Sequence, residues 1–159
     1  MKSYRLLLAS LCVLLFVGCN REDDIEGIFT GKVWHMAGFY ETHDWDNPNM
    51  GTPISKYNSL SDLTAYNIEL MVDGIVVVTL PEGCQLQGRW EADGKNRTFG
   101  FSEWKTVTGD PKRLTGFGKQ MYDELLKVSY YQGDSNYIRL FDENRRYFMQ
   151  FGDLSKFKK

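Results

Sequence analysis

The chain has little of what chemistry most often uses. Among its 159 residues are two histidines, His35 and His43, and three cysteines. Zinc takes three or four convergent ligands, and His43 with Asp44 and Asp46 in one loop, His35 upstream, does not spell out such a set. Calcium needs a denser array of oxygens. No metal or other cofactor is therefore expected. The Gly-x-Ser-x-Gly turn of serine hydrolases is missing. Gly109-Asp110-Pro111-Lys112 lacks the second glycine and the Lys-Ser/Thr of a phosphate-cradling loop. Asp142-Glu143 stands at a turn, where paired carboxylates are ordinarily solvated. The expectation is a protein that is not an enzyme. Nor is there an excess of either charge: 19 basic residues face 21 acidic ones. With no basic stripe, nucleic acid is excluded as a partner.

A long hydrophobic run is also missing. A membrane-crossing helix needs about 20 apolar residues; the longest run here, Leu6 to Val17, is shorter and holds Ser10 and Cys12. It follows Lys2 and Arg5 and ends in Phe16-Val17-Gly18-Cys19. Basic start, short apolar stretch, then a small residue before cysteine is the layout of a bacterial lipoprotein signal peptide, to be kept out of the fold argument. The pattern departs from the commonest form in having Phe16 where leucine is usual. Residues 1–18 are read as the leader and Cys19 as the lipid-attachment residue, which holds the protein to a membrane by its acyl chains. Residues 19–29 read as an acidic tether. Its Glu22-Asp23-Asp24 cluster is similar to the export signal that places lipoproteins of Bacteroidota on the outer face of the outer membrane; the plainer reading is a solvated linker at the periplasmic face. Removing the leader takes away Lys2 and Arg5, so 17 basic residues remain against 21 acidic, a net charge of −4. Cys12 leaves as well, and Cys84, without an intramolecular partner, is expected to be a small buried thiol.

What the chain has is aromatics, at 14% with four Trp, nine Tyr and ten Phe, a composition that favours strands. A first strand is expected within 31–40. Tyr66, Ile68, Leu70 and Val72 alternate with polar or less apolar neighbours, the period of a half-buried strand. Asp73-Gly74 predicts a type I′ hairpin into Ile75–Leu80. Leu86, Gly88 and Trp90 alternate likewise, Asp93-Gly94 offers a second tight turn, and 96–101 and 103–108 read as separate strands. Tyr130-Tyr131, 137–141 and 146–151 complete the pattern. One helix, about 117–128, is predicted from the stripe Phe117, Met121, Leu125 and Val128, with Asp123 and Lys127 spaced to pair. The fold class is mainly β, an antiparallel barrel-like meander of about eight short strands with one amphipathic helix, over residues 30–154. Residues 155–159 read as a frayed tail.

Residues 41–63 carry breakers and no period, a long connection of the kind that is usually functional or mobile. Trp45 stands out in it, because a tryptophan in a polar loop is either a contact residue or a lid over a barrel end. With His43 and Asp46 it forms the candidate contact set for a ligand or partner.

Three stretches resemble the META domain of small heat-shock-associated envelope lipoproteins. They are Trp34 in Gly31-Lys32-Val33-Trp34; Gly83-Cys84-Gln85-Leu86-Gln87-Gly88-Arg89-Trp90 followed by Asp93-Gly94; and Leu125-Leu126, Tyr130-Tyr131, Gly133 and Ile138-Arg139-Leu140. The likeness covers roughly residues 30–152, and extends to lipocalin-like lipoproteins of Bacteroidota. Gln85 stands where that family has asparagine, and the family's second cysteine has no counterpart in 104–115. The resemblance implies a fold and an envelope location more than an activity. The functional expectation is a monomeric, non-enzymatic interaction module, membrane-held through Cys19, that binds an unknown protein. The alternative is a carrier holding a small apolar ligand in a barrel cavity.

Overall fold

The period of two in 67–70 sorts side chains as expected. In a computed structural model describing residues 24–47, 49, 51–56 and 62–156, Ile68 and Leu70 are fully buried and Glu69 faces solvent. The leader, Cys19, Glu22 and Asp23 lie outside the described residues. Nine strands are found among those described: β1 (Val33–Glu41), β2 (Thr52–Lys56), β3 (Asn67–Leu70), β4 (Ile75–Thr79), β5 (Gln85–Asp93), β6 (Thr98–Thr108), β7 (Tyr130–Gly133), β8 (Tyr137–Phe141) and β9 (Tyr147–Asp153). All pair antiparallel in chain order from β3 to β9, and β9 returns to β1 over Trp34–Glu41, so the sheet closes in a ring. The other edge of β1 is divided. Val33–His35 pair with β3, and Gly38–Glu41 pair with β2. Eight strands thus make the ring and β2 lies beside it.

That ninth strand comes from the segment read as a loop. Pro53 within it discourages a strand reading, but an edge strand tolerates a proline because one side of it has no ladder to complete. Two expected strands also merge, since 96–101 and 103–108 are parts of the single β6, bent by a bulge where Glu103 takes a left-handed φ of +53°.

The turns differ from expectation in type. Asp73-Gly74 is not a type I′ pair. Gly74 N–H donates to the Met71 carbonyl (3.0 Å) and only Gly74 of the two has positive φ, giving a three-residue loop that leaves Val72 70% exposed at its tip. The paired positive φ of a I′ turn falls at Glu82-Gly83, where Cys84 N–H donates to the Pro81 carbonyl (3.2 Å).

Each end of the ring is plugged. At the end where β1 begins, α1 (Ile25–Phe29) is capped by the Asp24 carboxylate, which accepts from Gly27 N–H (3.0 Å). It drives Phe29 to full burial among the rings of Tyr131, Phe99 and Trp90, at 4.8, 5.1 and 5.7 Å. The Trp34 indole N–H donates to the Phe29 carbonyl (2.9 Å). The residues expected to end a tether therefore belong to the core. At the opposite end, α2 (Gly116–Leu125) buries Met121 and Leu125 and sets Phe117 against Phe39 and Tyr66. Its ion pairs are Lys119–Asp123 (2.7 Å) and Lys127–Glu124 (2.8 Å), not the expected Asp123–Lys127, because the helix ends before Lys127. Ser155 and Lys156, expected to fray, form a 3-10 turn (Leu154–Lys156) in which Ser155 N–H donates to Asp153 (2.9 Å).

Between the plugs the interior is filled. Trp34, Met36, Val76, Val78, Leu86, Tyr131, Ile138, Leu140 and Phe151 are each at most 3% exposed and form one cluster. Phe29→Ala removes a fully buried ring and is expected to cost about 3–5 kcal/mol in urea unfolding. Val72→Ala should stay within about 0.5 kcal/mol of the parent.

Candidate functional site

Of the three candidate contact residues, the structure brings two to one place and leaves the third apart. After β1 the chain turns at Thr42, whose N–H donates to the Arg146 carbonyl (2.8 Å), while Glu41 pairs with Arg146 (2.7 Å). Residues 42–47 and Asn49 then lie as a strap across the outside of β7 and β8. Asp44 folds it locally by accepting from the N–H groups of Asp46 and Asn47 (3.0 and 3.2 Å). Trp45 is half-buried, edge-on to Phe141 (4.7 Å) and Tyr130 (5.9 Å), and the Arg145 guanidinium covers both Trp45 and Tyr130 (4.9 and 4.1 Å). Its carbonyl accepts from Gln132 Nε2 (2.6 Å). Trp45 therefore fastens the strap to the barrel wall and does not roof a barrel end. His43 is exposed. Asp46 lies on the lip of a polar recess that the strap forms with the wall.

That recess has a volume of about 230 Å³ and is lined by Asn49, Arg97, Gln132, Tyr137 and Arg139 with Asp46. Outward-facing positions of β8 carry Arg139 and Phe141, opposite Gln150 and Phe148 of β9. The strap turns this outer row into a second, smaller interior: Phe141 is fully buried and Arg139 is 8% exposed. Arg97, at the close of the β5–β6 turn, holds a left-handed φ of +54°. None of the three residues Arg97, Gln132 and Arg139 is among the contact residues the sequence suggested.

A second recess, about 350 Å³, opens on the rim beside α2. Phe39, Leu140, Phe148 and Met149 form its apolar floor, Ile54 of β2 its exposed wall, and Glu124, Lys127 and Asp142 its polar edge. It lies at the mouth of the ring, beside the filled interior and not within it.

Other residues with chemical potential are held apart. Cys84 is a free, buried thiol, and burial, with Asp110 adding to it, pushes its pKa up, away from a reactive thiolate. His35 is fully buried with its Nδ1 2.6 Å from Asn67 Oδ1. Among the described residues no group of three or more His, Cys, Asp or Glu side chains is placed to hold a metal ion.

If Trp45 fastens the strap, Trp45→Ala should cost about 1–3 kcal/mol, less than a fully buried aromatic. It should also expose Arg139, read as faster hydrogen exchange of the Gln132 and Arg139 amides with no change at Val76 or Val78.

Comparison with other proteins agrees with this architecture. The crystal structure of a DUF4847 family protein from Bacteroides vulgatus ATCC 8482 is similar, with 27% identity and a TM-score of 0.65, over 80% of this chain and 96% of that one. No curated protein matches. The family model that matches is described as a domain of unknown function, and it does not confirm the META-like or lipocalin-like resemblance. Because that model spans residues 20–153, well over half of the chain, the protein belongs to the DUF4847 family.

Proposed function

We propose that this protein is a lipid-anchored, non-enzymatic interaction module of the bacterial envelope, held to the outer membrane through Cys19 and binding its partner, a protein, on its outside. The observation that supports this reading is the filled ring. A lipocalin-like carrier needs a hollow barrel, and an eight-stranded ring has room either for its own side chains or for one ligand. Here Trp34, Tyr131, Met36 and Phe151 occupy that room, with Phe29 and Met121 closing the two ends. The aromatic interior leaves the outer surface and the rim as the working faces. The acidic residues Glu22, Asp23 and Asp24 beside the anchor favour the cell surface over the periplasmic face. The META-like motifs fit the same kind of role, a small envelope lipoprotein acting through contact.

One observation favours a second reading. The rim recess exceeds the roughly 300 Å³ lower bound of small-molecule sites. Its apolar floor and charged edge suit a small amphipathic ligand, taken at the mouth of the ring and not in its interior.

Native mass spectrometry of the full chain, extracted gently from its own envelope, separates the two. Co-purification of a protein partner, lost on Ile54→Glu or on a charge placed at the strap, supports the interaction module. A reproducible small-molecule adduct, lost on Ile54→Glu with folding unchanged, replaces it with the carrier reading. Ile54 is 52% exposed, so that substitution should alter stability by no more than about 0.5 kcal/mol.

A further inference from the structure

We infer that the recess beneath the strap is a binding site for a small monocarboxylate, with Arg139 as its anchor. The site is separate from the rim recess and stands or falls independently of the reading above. Arg139 occupies an outward position of β8, where an arginine would ordinarily extend into water, yet it is 8% exposed. Removing a guanidinium from water is costly unless a counter-charge meets it. Among the described residues no carboxylate pairs with Arg139. Its partners are neutral: Nε donates to Gln150 Oε1 (2.9 Å) and Nη2 donates to Asn49 Oδ1 (2.8 Å). The guanidinium also lies over the rings of Tyr137 (4.6 Å) and Phe148 (5.7 Å).

These contacts fix the guanidinium without neutralising it. Five N–H groups radiate from an arginine, and Gln150 and Asn49 take one each. Arg139 lines the recess, where its remaining N–H groups are available to a ligand. An arginine held this way is preorganised for a planar, bidentate acceptor, which is what a carboxylate offers. Gln132 and Tyr137 add polar groups that can orient a ligand.

Asp46 sets the selectivity. The Arg139 guanidinium and the Asp46 carboxylate, lining one recess, favour a ligand carrying a single carboxylate. They disfavour sulfate or a phosphate dianion, which would bring a second negative charge beside Asp46. Asp46 is also an acceptor, so it favours a ligand with a hydroxyl or ammonium donor near its carboxylate. At about 230 Å³ the recess is smaller than the roughly 300–1,000 Å³ of drug-sized sites, and suits a single small polar unit. Free amino acids and uronic acids share this chemistry.

The test is a titration of the full chain in detergent, following the Arg139 Nε–H resonance and the thermal midpoint. The probes are D-glucuronate, L-serine, D-glucose as the uncharged counterpart, and sulfate. Saturable shifts with glucuronate or serine, none with glucose, and weaker binding of sulfate are expected; whichever carboxylate binds tighter identifies the source. Arg139→Met should weaken that binding at least about thirtyfold, the loss expected when one partner of a desolvated charge pair is removed. It should not lower the thermal midpoint of the ligand-free protein, since an apolar side chain of similar length relieves an unmatched charge. A large fall in that midpoint, with carboxylates leaving the parent unmoved, would make Arg139 purely structural and overturn the site. Asp46→Asn keeps Arg139 and should strengthen sulfate binding about fivefold. Sulfate binding unchanged in that variant, or no saturable response to either carboxylate, would equally overturn the proposal.

Discussion

The pairing of β1 with β9 over Trp34–Glu41 closes the sheet, and most of the molecule follows from it. Because β1 is committed along the whole of that edge, its other edge must serve both β3 and β2. Dividing the edge leaves the ring at eight strands, too narrow for an empty interior once tryptophan, tyrosine and phenylalanine face inward. It also determines where the chain goes next. Leaving β1 at Glu41, residues 42–47 cannot enter a filled interior, so they return over the outside of β7 and β8.

Two chemical environments result. Inside the ring, burial is apolar and the end plugs Phe29 and Phe117 complete it by aromatic contact. Outside, beneath the strap, burial is mixed. Phe141 packs against Phe148 and Trp45, and Arg139 is desolvated over Tyr137 and Phe148 with amide partners. An apolar interior supplies stability; a buried guanidinium held by neutral groups contributes little to it. The second environment is therefore where selectivity for a partner or ligand can reside.

Much of the ring was legible in the sequence because alternation survives when one face of a strand is buried. Ile68 and Leu70, Val76 and Val78, and Ile138 and Leu140 all point inward as the period demands. The illegible parts have particular causes. Helix α1 is a single short turn without a repeat to betray it, and its cap at Asp24 lies in what reads as an acidic tether. Strand β2 carries Pro53, allowed only because β2 is an edge. Arg139 looks solvated from sequence, being the polar member of an alternating strand; what buries it is a segment 90 residues away, contacting through Asn49. Local pattern reports which face a side chain is on and cannot report that a distant loop covers that face. For the same reason Trp45 could be singled out without revealing which surface it holds.

The filled ring is what directs the proposed binding to the outside of the molecule. The most direct measurement is methyl NMR of the protein under xenon pressure, because xenon enters dry apolar voids. The account predicts no saturable shift at the interior methyls of Val76, Val78, Leu86 and Ile138, with any response confined to Leu140 and Met149 at the rim recess. Saturable shifts at the interior methyls would reveal a hollow barrel and contradict it.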